Sequence, residues 1–161
     1  MATLPLGLIV DPNNNSLLVA LRKLENYNLD HITRDVEKKY HWTQDKAHEI
    51  ETETRRFFAL AFLDQGYYHI PEADVDEYWH RMILNTQFYH SFCRDIFGDY
   101  YHHTPEPNAN TINANNRNRT QQLVNYWFGT TWHSLVLTCT QCRGPYLVNL
   151  PSPDPLTLPH I

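Results

Sequence analysis

The sequence predicts a mainly α-helical protein, a compact domain of five or six helices with an Asn-rich loop and an extended Pro-rich C-terminal tail. Apolar residues recur at helical spacing through the first hundred positions, and no segment there alternates as a half-buried strand does. Capping and stopping residues (Asn, Thr, Gly) punctuate that pattern where helices should begin and end. With 161 residues, 42% of them hydrophobic and 19% charged, the chain is long enough to bury a core.

Residues 1–15 read as a loose arm. Asn15 and Ser16 cap a first helix with Leu17, Leu18, Leu21 and Leu24 on one face. Asn28 to Asp30 close it and open a short second helix with Ile32, Val36 and Tyr40 inward. Thr43 caps a long third helix whose buried stripe is Ala47, Ile50, Phe57, Phe58 and Ala61, and Gly66 ends it. On a single rod from 73 to 97 the rings of Trp79, Phe88, Phe92 and Phe97 would spread around the circumference. Asn85-Thr86 therefore divides the run into helices near 73–84 and 87–97, packed as a hairpin or corner, with Gly98 as the stop.

Residues 104–120 hold six asparagines and two prolines and read as a linker or loop. A last helix over roughly 120–136 carries Leu123, Val124, Trp127 and Phe128, and the Pro-rich remainder is extended. The chain thus divides into a helical core domain (1–103), the Asn-rich linker (104–120) and a C-terminal helix with a Cys-containing tail (121–161). No internal repeat is apparent.

Composition narrows the function classes. The net charge is −5 and Lys and Arg do not cluster, Arg117 and Arg119 being a poor electrostatic footprint, so no nucleic-acid partner is expected. No apolar run is long enough to span a bilayer, and MATLPLGLIVDPNNN lacks a basic n-region. A cytoplasmic location without membrane association is the resulting expectation. Three cysteines, an odd count, suit reduced thiols better than a disulfide framework. Protonating all ten histidines would move the formal charge from −5 to +5, so behaviour near pH 6 should be sensitive and a pH sensor is one reading.

Residues 75–105, VDEYWHRMILNTQFYHSFCRDIFGDYYHHTP, concentrate four histidines, one cysteine and eight aromatic rings. Asp76 and His80 stand four apart and share a helix face, so the carboxylate can orient the imidazole as a general base, or both can ligate a metal. His90 and Cys93 share a face of the next helix and form a weaker nucleophile pair, without a visible oxyanion hole. His102 and His103 lie just beyond Gly98, where the chain is free to fold back. Imidazole with carboxylate suits Zn or Fe better than Mg or Ca. Further on, Cys139 and Cys142 form half of a zinc knuckle that His133, His160 or a second subunit would complete; a turn with two reduced thiols is the plainer alternative.

The same stretch carries a spaced pattern: Val75, Asp76, Trp79, His80, Leu84, Tyr89, Cys93, Phe97, Gly98, His102, His103 and Pro105. It resembles the core motif of the glycine-rich domain-containing protein (GRDP-like) family, and ETRRFFAL at 53–60 resembles the helix leading into it. The match covers about half the chain and lacks the plant members' glycine-rich region, which is similar to the compact bacterial relatives. The resemblance implies a helical domain built around the motif. It places Asp76, Trp79, His80, Tyr89, Cys93 and His102 or His103 in the family's defining set and implies no particular reaction.

Two functions compete on this reading. One is a transition-metal or acid–base site built from His80 and Asp76 with His102 and His103 closing it, walled by Trp79, Tyr89 and Phe97. Such a site suits metal-assisted hydrolysis or oxidation of a small molecule or modified peptide. The other is a noncatalytic interaction module, in which the Trp and Tyr residues and the loop or tail engage a protein partner, with homo-oligomerisation open to either.

Overall fold

The computed structural model describes residues 2–103 and 111–132, of which 111–114 are described by backbone alone. Among the described residues six α-helices follow in order: α1 Asn15–Asn26, α2 Asp30–Tyr40, α3 Gln44–Leu63, α4 Ala73–Leu84, α5 Thr86–Phe97 and α6 Thr111–Phe128. The described residues contain no strand element, as the helical periodicity predicts. Buried α3 is the hub, packing against α1, α2, α4 and α6.

Each boundary has a local cause. The Asn14 side chain accepts the Leu17 amide at 3.1 Å, one residue before the expected cap, and Thr43 Oγ1 accepts the Lys46 amide at 3.1 Å. Gly98 ends α5 in the left-handed conformation at φ 75°, which a glycine adopts without steric cost. The α4–α5 corner falls at Asn85, so the aromatic residues of both helices reach one core.

That core is built from rings. Phe58 lies within 5.2–5.9 Å, centroid to centroid, of Phe57, Trp79, Phe92 and Phe97, and 5.6 Å from Tyr101. Several polar groups taken inside are paired, whereas Gln65 Nε2, Asn116 Nδ2 and Trp127 Nε1 are buried without a hydrogen-bond partner among the described residues. Arg55 donates to the Leu24 carbonyl at 2.7 Å near the end of α1, and the hydroxyls of Thr33 and Tyr78 bond at 2.8 Å.

Two expectations need correction. The N-terminal arm is not loose over its whole length: a 3₁₀ turn at Pro5–Gly7 buries Leu6 and Leu8, and Arg56 Nε donates to the Leu6 carbonyl at 3.0 Å. The Asn-rich stretch is helical from Thr111, and the last helix stops at Phe128, with Gly129 at φ 65°. Its anchors explain this. Arg119 grips Asp64 through Nε and Nη2 at 2.8 and 2.6 Å, while fully buried Thr120 accepts the Ile70 amide at 3.1 Å. Tertiary pairing outweighs the weak helix propensity of asparagine. Residues 104–110 of the expected linker, 133–136 of the expected helix and the Pro-rich tail lie outside the described residues.

Phe58→Ala should cost about 3–5 kcal/mol, read as a lower urea midpoint, because it empties the centre of the ring cluster. Asp64 generates an acid-limb expectation. Burial alone would push its carboxyl up, but hydrogen bonds from Arg119 and His69 outweigh that and hold it below the usual carboxylate range. A depressed folded value means the stabilisation is complete above the unfolded value, about pH 4, and is lost as pH falls through the folded one. Asp64→Asn should therefore be less stable at neutral pH, with a flatter decline below about pH 4 in urea melts across pH.

Candidate metal centre

Asp76 lies in the first turn of α4, where the positive end of the helix dipole favours a carboxylate. Four residues on, His80 projects from the same face, its Nε2 3.7 Å from Asp76 Oδ2. The third group comes from outside the helix. After Gly98 the chain runs as a strap across α4 and brings His103 Nε2 to 2.7 Å from Asp76 Oδ1. The three rings at the site stack as layers. His103 lies on the Trp79 indole at 4.2 Å and 21°, and His80 lies on His103 at 4.7 Å and 10°.

One ligand atom from each of Asp76, His80 and His103 falls within 4.8 Å of the others. A tetrahedral ion with ligands at about 2.0–2.2 Å has donor–donor edges of roughly 3.4 Å, so modest side-chain rotation closes the set. Asp76 is buried (8% exposed) and His103 largely so, whereas the His80 side chain is 44% exposed and free to make that rotation. Next to the first turn of α4 runs a groove of about 610 Å³ whose lining includes Asp45, Glu49, Glu53, Glu72 and Asp74 against Lys46. Burial, with Asp74 and Glu53 nearby, pushes the Glu72 carboxyl up. Such a wall of carboxylates raises the local concentration of cations.

The other residues singled out from the sequence fall as follows. His102 is exposed, with its ring 4.7 Å from Tyr100, because successive side chains of an extended segment point to opposite sides. The HH pair therefore supplies one group to the site, His103, and not both. His90 is exposed beside Tyr100 at 5.0 Å, whereas Cys93 is 1% exposed inside the core, so the two do not form a nucleophile pair. Burial pushes the Cys93 thiol up, away from the reactive thiolate. Trp79 walls the site as expected. Tyr89 stands behind that wall, and Phe97 packs on Phe58 and Phe62 instead. Being buried, Trp79 and Tyr89 offer no surface for a protein partner. Cys139, Cys142, His133 and His160 lie outside the described residues.

A second polar cluster escaped the sequence reading. Buried His69 faces Thr120 Oγ1 through Nδ1 at 2.9 Å and Asp64 Oδ2 through Nε2 at 2.8 Å. The arrangement has the order of a nucleophile, base and orienter. Thr120 is fully buried and donates to the Asn116 carbonyl at 2.8 Å, so the cluster holds α6 to the end of α3 and presents no nucleophile. A histidine between Tyr68 and Ile70, five residues after an aspartate, was the available signal.

No helix among the described residues is long and apolar enough to cross a membrane. No curated protein and no solved structure matches the chain. The UCP032817-like family model matches residues 20–133, a span that contains all three site residues. This overturns the resemblance to the glycine-rich domain-containing proteins, to which nothing in the comparisons points. The chain belongs to the UCP032817-like family.

Proposed function

We propose that the protein binds a divalent transition metal, Zn²⁺ or Fe²⁺, through Asp76, His80 and His103. The observation that carries this reading is the convergence of three ligand atoms within 4.8 Å. Two imidazoles and one carboxylate are the donor set of catalytic zinc and of non-haem iron, which leave coordination positions for water or substrate. A metal bound there would supply Lewis acidity or an activated water for hydrolysis, or redox chemistry for oxidation, of a small molecule or modified peptide. Asp76 contributes the anionic ligand and partly balances the charge. The Trp79 face shields one side of His103 from water, and His80 stands on the solvent side, where a ligand arrives. Imidazole and carboxylate donors ligate in their unprotonated forms, so metal binding there should strengthen as pH rises.

A second reading follows from the 2.7 Å contact between Asp76 and His103. Without metal, that carboxylate orients the imidazole as a general base, a role the sequence pointed to for His80.

Stability and metal binding separate by mutation. His80→Ala should shift unfolding free energy by less than about 0.5 kcal/mol, because the side chain is exposed. His103→Ala should cost about 1–3 kcal/mol, because it leaves a buried carboxylate without that partner.

Metal content then tests the reading on untagged protein carrying Cys139→Ser and Cys142→Ser. Near-stoichiometric Zn²⁺ or anaerobically added Fe²⁺ is expected by elemental analysis. It should be lost in Asp76→Ala and His103→Ala, weakened at least ~10-fold in His80→Ala and unchanged in His102→Ala. A folded wild type without metal, or a folded Asp76→Ala that retains it, refutes the assignment.

A further inference from the structure

We infer that Tyr89 is the positioning residue that delivers His103 to the site. This rests on the metal reading for its consequence, although the geometry belongs to the metal-free protein. His103 sits on an extended strap that no helix hydrogen bonds stabilise, so its aim must be set from outside the strap. The setting occurs at Tyr101, two residues earlier and therefore on the same side of an extended chain.

Tyr101 is gripped on three sides. Its ring is buried edge-on to Trp79 at 5.2 Å and 88°, its amide donates to Cys93 Sγ at 3.5 Å, and its carbonyl accepts the Tyr89 hydroxyl at 2.5 Å. The same hydroxyl accepts the Trp79 indole N–H at 2.8 Å. One oxygen atom thus ties the platform on which His103 stacks to the strap that carries His103. Tyr89 is fully buried, and burial pushes its phenol far above the usual range, so the hydroxyl keeps its proton and remains a donor. With water excluded, neither the indole nor the Tyr101 carbonyl has bulk solvent to turn to when that hydroxyl is removed.

Tyr89→Phe deletes the oxygen and leaves the ring. In the Cys139→Ser, Cys142→Ser background, Co²⁺ serves as the probe, read by calorimetry and by its visible absorption. Tyr89→Phe should weaken Co²⁺ binding about 10–100-fold and move the spectrum toward that of His103→Ala. Added to His103→Ala, it should change affinity less than about twofold, because the group it aims is already gone. Phe62→Leu, a core change away from the strap, should lower stability yet leave Co²⁺ affinity and spectrum unchanged. Wild-type binding and spectrum in Tyr89→Phe, or equal weakening with and without His103, overturns the inference.

A metal-free arm decides the matter even if the triad takes up no Co²⁺, an outcome that would sink the metal reading alone. By NMR, Tyr89→Phe should shift the His103 ring nitrogens and speed exchange of the Tyr101 amide. If Tyr89→Phe is folded and leaves both unmoved, Tyr89 does not position His103. If it does not fold, Cys93→Ala, which frees the Tyr101 amide from the other side, should give the same shifts in weaker form, and their absence is equally decisive.

Discussion

The indole of Trp79 is a large apolar body with one N–H that must be paired once it is buried, and both demands shape the molecule. Its edges pack among Phe57 and Phe58 of α3, so α4 lies close against the hub helix. Its N–H takes the Tyr89 hydroxyl, which draws α5 back over α4 and fixes the corner at Asn85. One face of the indole is covered by the imidazole of His103, which stacks on it. Core and candidate site therefore share a single side chain.

The remainder of the molecule is oriented by polar contacts at its margins, beside an apolar face that on α6 buries Leu123, Val124 and Trp127. α6 joins the hub through Asp64, His69, Arg119 and Thr120, a set in which each donor has an oxygen facing it. Charge-assisted pairs of this kind orient an element better than they stabilise it, since desolvation offsets much of the attraction. The N-terminal turn is tied in a similar way, with Leu6 bonding Glu25 through its amide and Arg56 through its carbonyl. The match to the UCP032817-like family covers the six helices of the described residues except the start of α1.

Much of this was readable from residue spacing. Helical periodicity, caps and glycine stops located α1 to α5 within a residue or two, because local physics dictates those features. The Asp76–His80 pair was also readable, since residues four apart on a helix must share a face. What escaped depends on contacts between distant positions. An extended strap can present either of two neighbouring histidines, and contacts from distant residues, the burial of Tyr101 and the Asp76–His103 pair among them, go with His103 rather than His102. The helical stretch 111–120 is anchored through Arg119 to Asp64, 55 positions away, which no local pattern reveals. The motif resemblance misled because spaced aromatic and histidine positions reflect a shared packing demand as readily as shared descent.

Cys93 lies beneath the strap, with its sulfur against the Tyr101 amide and only 1% of its surface accessible. An alkylating reagent can reach that thiol only when the strap lifts or the helices part. The speed of its labelling is thus a clock for transient opening, ticking at a rate set by how often the closed arrangement gives way. The molecule carries its own reporter of local breathing, placed directly under the segment that bears His103.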